Sequence, residues 1–121
     1  MKGSPMKYMM LIVGNEDDEA SRPQEELDAL YGRIVAWWNE QAAAGRIVDG
    51  HELQPSATAT TVRIGRDGST TVTDGPYVEA KESIGGFGIL DVADLDAALA
   101  VASSWPGAST TLEIRPIVVR D

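Results

Sequence analysis

An α+β sandwich is the architecture this sequence predicts, on three observations. Apolar strand-like runs recur along the chain, two amphipathic helical patterns separate them, and Gly, Pro and Asp punctuate the boundaries. A chain of 121 residues accommodates one domain with a hydrophobic core and is too short for two full-sized ones. Hydrophobic residues make up 43% and charged residues 24%, a balance well clear of the low hydrophobicity that leaves chains unfolded.

Residues 1–5 carry no pattern and are expected to form an unstructured extension, with a single domain over 6–121. Tyr8-Met9-Met10-Leu11-Ile12-Val13 is apolar on both alternating sets, which predicts a central strand covered on both faces. Asn15 to Arg22, with Glu16, Asp17, Asp18 and Glu19 in a row, reads as a solvated acidic connector. Ser21 and Gln24 stand at capping-box spacing and Pro23 suits a first helical turn, so a long helix is expected from near Pro23. Leu27, Leu30, Tyr31, Ile34, Trp38 and Ala42 mark its inward stripe, and Gly45 supplies a left-handed stop. Gly32 costs about 1 kcal/mol relative to Ala within a helix, which suggests close approach of another backbone. Trp37 and Trp38 are adjacent, so at least one is expected off the main core face, as a pocket wall, a partner contact or a partly exposed ring.

Arg46 to Leu53 reads as a second strand and Thr60 to Gly65 as a third, joined by the turn-like Gln54-Pro55-Ser56. Arg66-Asp67-Gly68-Ser69 is a hairpin signal and Thr70 to Thr73 the returning strand, so a meander is expected here. Ile84 to Val92 is a glycine-interrupted apolar strand. Asp94 caps a second helix with Leu95, Ala98, Leu99 and Ala102 inward, ended by Pro106-Gly107. Thr110 to Val119 closes the chain as a strand, placed at an edge because Pro116 cannot donate to a ladder. This order is the split βαβ of a ferredoxin-like sandwich with a hairpin insertion. Two helices cover one face of such a sheet, yet two strands are apolar on both, so a homodimer with facing sheets is expected.

Composition excludes several functions. Lys plus Arg number 10 against 19 Asp plus Glu, a formal charge of −9, which disfavours nucleic acid. The absence of cysteine removes disulfides, thiolate zinc sites and a cysteine nucleophile. One His and scattered carboxylates lack metal-ligand spacing, so neither metal nor cofactor is expected. The longest apolar run falls short of the roughly 20 residues of a membrane span, and a cytoplasmic location is the default expectation. Gly85-Gly86-Phe87-Gly88 opens no helix and lacks a following Lys-Ser/Thr, so it fails as a phosphate loop.

Two constellations are left for chemistry. Asp74-Gly75-Pro76-Tyr77-Val78-Glu79-Ala80-Lys81-Glu82 places Asp74, Glu79, Lys81 and Glu82 in one short segment. One reading is the polar wall of a binding pocket, with Lys81 orienting an anionic or carbonyl substrate and a carboxylate moving a proton. The other is a turn followed by surface ion pairs, each worth under about 1 kcal/mol. Opposite charges on either side keep Lys81 protonated, suited to holding an anion rather than forming an imine. Asp74 is expected to act first as a turn acceptor, bonding backbone N–H groups just downstream. His51, the single imidazole, shares a strand face with Asp49, with Glu52 opposite. That pair could serve as a general base, or His51 could be a solvated structural residue.

The run Asp74-Gly75-Pro76-Tyr77-x-Glu79-x-Lys81-Glu82, with Gly85-Gly86-Phe87 and Asp91-Val92 after it, resembles the YCII-related family in its DGPF branch, Tyr77 standing where Phe is commoner. Met6-Lys7-Tyr8-Met9, Leu53-Gln54-Pro55, Thr58 to Arg63 and Glu113-Ile114-Arg115-Pro116 extend the likeness from Met6 to Val118. The resemblance implies a dimeric α+β barrel, members without an assigned reaction, and for some a link to extracytoplasmic-function sigma factors. Related enzymes are thought to use a His on the first helix with an Asp; no His lies between Pro23 and Gly45, so that mechanism does not carry over. The resulting expectation is a small-molecule-binding domain with lyase- or isomerase-type acid–base activity, its cavity between sheet and helix. The rival is a non-catalytic interaction protein in sigma-factor regulation.

Overall fold

The computed structural model describes residues 6–77 and 82–120. The extension expected over residues 1–5 lies outside them, as do Glu79 and Lys81. At the centre is β1 (Met6–Gly14), whose alternate residues Tyr8 and Met10 are fully buried. On one side it pairs antiparallel with β5 (Ser83–Val92), and on the other with β6 (Thr111–Pro116). β2 (Ile47–Glu52) pairs antiparallel with the outer side of β5, which makes the order β2-β5-β1-β6. This arrangement is consistent with a ferredoxin-like α+β fold, with both apolar runs central as their composition demands. β6 is one of the two edge strands, with β2 at the other edge, and Pro116 is its last residue, where a missing donor costs the ladder little.

The expected meander divides into two sheets. β3 (Thr60–Ile64) and β4 (Thr70–Asp74) form a separate two-stranded hairpin, while β2 bonds to β5 instead of β3. The 3-10 turn Ser56–Thr58 redirects the chain between them. At the hairpin tip Gly68 takes φ 85°, and the Asp67 carboxylate accepts the Ser69 N–H at 3.0 Å.

Helical residues also depart from the simplest periodic reading. The acidic connector is α1 (Glu16–Ala20), capped by Asn15, whose side-chain oxygen accepts the Asp18 N–H at 2.9 Å. Four acids in a first turn suit the positive end of a helix as well as they suit solvent. α2 (Gln24–Ala43) starts after Pro23 without a side-chain cap, because the Ser21 hydroxyl donates back to Asp18 O and is not available to the helix. Its buried residues are Trp37 and Gln41, in place of the expected Tyr31 and Ala42, both exposed. Both polar groups are satisfied where they are buried: Trp37 Nε1 donates to Ser104 Oγ at 2.8 Å, and Gln41 Oε1 accepts from Arg46 Nε at 2.6 Å. Gly32 faces open space within the chain.

α3 (Leu95–Ser103) is capped by Asp94 as its sequence predicts, with the carboxylate accepting the Ala97 N–H at 2.9 Å. Ala98, Val101 and Ala102 meet the sheet, and Leu95 and Leu99 stay exposed, since small residues let the helix approach closely. The core thus joins Tyr8, Met10, Ile47, Leu90 and Val92 of the sheet to Trp37 and the α3 small residues. No helix among the described residues is long and apolar enough to cross a membrane.

Candidate functional site

Register and alternation give the sheet two unlike faces. Tyr8, Met10, Gly88, Leu90 and Ile47 point to the helices. Where α2 reaches the β2–β5 edge, a cleft of about 1010 Å3 opens between α1, α2, the sheet and the loop after α3. Its apolar wall includes Ile12, Leu27, Leu30, Ile34 and Trp38, and its rim includes Glu16, Arg22, Tyr31 and Glu52.

Trp38 stands on a notch made of two glycines. A Cβ at Gly50 would overlap its indole and would lie 2.6 Å from the Phe87 carbonyl oxygen; one at Gly88 would lie 3.3 Å from Cη2 of Trp38. Gly50 and Gly88 are direct partners across β2 and β5, so the ring rests on bare backbone. Trp38 meets Trp37 edge-on at 5.9 Å between centroids, and Trp37 meets Trp105 the same way at 5.1 Å. This aromatic series runs from the cleft into the core, with Trp105 returning to line the cleft.

Glu16 ties the rim together. Its carboxylate accepts the Ser56 N–H at 2.8 Å and the Ser56 hydroxyl at 2.5 Å, joining α1 to the 3-10 turn. The Ser56 hydroxyl, followed by its N–H, holds the Glu16 carboxyl below the usual carboxylate range, against a small opposing effect of burial. A second cavity of about 490 Å3 adjoins the cleft, with Leu53, Pro55 and Ser83 lining both.

The candidate residues separate in space. Asp49 and His51 do share one side of β2, with Nε2 to Oδ1 at 3.5 Å, and Glu52 lies on the opposite side; His51 and Glu52 both line the cleft, and Asp49 does not. The pair is open to solvent, its side chains 59% and 70% exposed, and the His51 ring tilts over Phe87 at 5.8 Å. Glu82 borders the smaller cavity. Asp74 ends β4 on the exposed hairpin. The adjoining turn is held by other groups: Gly75 N–H donates to Ala59 O at 2.7 Å, and the Thr61 hydroxyl donates to Gly75 O at 2.6 Å. Among the described residues no backbone N–H reaches the Asp74 side chain, nor are three His, Asp or Glu side chains grouped to hold a metal ion. Local patterning does not reveal Glu16, whose partner is 40 residues away, and helical periodicity alone assigns Tyr31 to the core.

The family model described as the YCII-related domain matches residues 6–120. The uncharacterized protein R00369 of Rhizobium meliloti (strain 1021) is 31% identical over 117 residues, covering 94% of each chain. On the strength of a match that spans nearly every residue, the chain belongs to the YCII-related domain family.

Proposed function

We propose that the chain is a small-molecule-binding protein whose site is the cleft between α2 and the β2–β5 edge. The observation that carries this reading is the cavity of about 1010 Å3 itself, apolar along Leu27, Leu30, Ile34 and Trp38 and charged at its mouth. Concave sites with an apolar wall and a few placed polar groups are where small molecules bind. Glycine at positions 50 and 88 supports the assignment, because it sets a large aromatic surface against the wall where a Cβ would displace it. The run from Asp74 to Tyr77 supports placement in the DGPF branch.

For lyase- or isomerase-type acid–base chemistry the Glu52 carboxylate is the group to test in the cleft, with His51 and its partner Asp49 at the edge. A homodimer through the second sheet face completes the reading. A thermal-shift screen of a metabolite library, followed by tryptophan-fluorescence titration of hits, tests it. Saturable binding that Trp38→Ala abolishes is expected. Hits whose affinity is unchanged by Trp38→Ala, or a library without a hit, would overturn the assignment.

A further inference from the structure

We infer that the cleft takes an organic cation, an amine or quaternary ammonium carried on an apolar body. This rests on the cleft being the ligand site and adds the chemical class. Charge is the first reason. The cleft-lining acids are Glu16, Asp17, Asp18, Glu19, Asp28 and Glu52, against Arg22 and His51. Arg22 is held by Asp18 at 3.0 Å. Ser56 bonds Glu16, and Gln24 Nε2 donates to Asp28 Oδ1 at 2.8 Å, but these neutral donors leave both carboxylates charged, so the field of Glu16, Asp17, Glu19, Asp28 and Glu52 is negative. Residues 78–81 contain one Glu and one Lys, so they leave the net sign unchanged. A carboxylate or phosphate entering this cleft would shed water with no uncommitted cation among the described lining residues to receive it.

Aromatic surface is the second reason. Trp38, Trp105 and Tyr31 line the same cavity, and Tyr31 is 55% exposed at its mouth. The faces of such rings attract cations, most strongly where water is partly excluded. The third reason separates an organic cation from a metal ion. Among the described residues the acids do not converge on a point in any group able to hold a metal, and a space of about 1010 Å3 is far larger than an ion needs. Dispersed negative charge over an apolar wall suits a charged group with a hydrophobic body.

Three probes of similar shape separate the outcomes: phenethylamine, 2-phenylethanol and phenylacetate, each titrated at low salt by tryptophan fluorescence and checked by equilibrium dialysis. The amine is expected to bind at least about tenfold more tightly than the carboxylate, an advantage that shrinks in high salt. The double variant Asp28→Asn with Glu52→Gln should lose most of that preference while keeping the wild-type melting curve. Trp38→Ala should weaken all three probes. Carboxylate binding equal to or tighter than amine binding overturns the cation assignment and leaves the ligand site standing. Failure of every probe at millimolar concentration overturns both.

Discussion

Trp38 owes its position to what two neighbours lack. The aromatic wall is built on Gly50 and Gly88, and the closer contact is at Gly50, where a methyl group would meet both the indole and the Phe87 carbonyl. Neither atom can yield cheaply: one belongs to a rigid ring packed on the core and the other to the sheet backbone. Gly50→Ala should therefore destabilise the fold by about 1–3 kcal/mol, the usual range for overpacking, and move the tryptophan emission to the red as the ring is pushed toward water. Urea melts with emission spectra of the native protein check this; an unchanged midpoint would mean that Trp38 does not rest on the notch. The alternation of β2 is legible in the sequence and puts Asp49 and His51 opposite Glu52, a placement that holds in the fold. Trp38 is harder to place, because two adjacent tryptophans give a helical period no basis for deciding which ring faces the core. The structure turns both inward, Trp37 buried and Trp38 partly so.

Among the elements, α1 is the one that local sequence hides. Four consecutive acids describe a solvated loop and a short capped helix equally well, and the deciding contact is the Asn15 cap together with a bond from Ser56, 40 residues distant. Separation in sequence also hides the pairing of β2 with β5 in place of β3, since adjacency along the chain favours the meander. Hairpin, edge strand and Asp94 cap are legible because each depends on residues within a few positions. The Glu16–Ser56 tie has a pH signature. A carboxyl held below its ordinary value of 4.5 in the native state stabilises the fold fully above that value, and loses the contribution as pH falls through the lowered native pKa. Glu16→Gln removes the charged acceptor, so it should cost about 0.5–1.5 kcal/mol at pH 7, as for one hydrogen bond, and less at an acid pH below the lowered native pKa. Paired urea melts of the two proteins at both pH values measure the difference. A gap that is constant with pH would remove the tie as a source of stability.

At the scale of the whole molecule, the face of the sheet turned away from the helices is the surface on which to test assembly. Met9, Leu11 and Val13 of β1 alternate outward beside Phe87 and Ile89 of β5, and no described helix crosses them. Lys7 and Arg115 on the same face stand against Asp49, Asp91 and Glu113, so this surface is close to neutral in a chain of formal charge −9. Copies carrying that charge repel one another, and a nearly balanced apolar surface is where the repulsion is least. The chain should therefore be a homodimer with its sheets face to face, and Leu11→Glu, a charge set into the middle of that face, should yield a folded monomer. Light scattering at micromolar concentration reads the mass, and circular dichroism separates dissociation from unfolding. A wild-type monomer would exclude this assembly, and a dimer unaffected by Leu11→Glu would move the interface to another surface, the exposed Val62, Ile64 and Val72 of the hairpin being the next apolar patch to test.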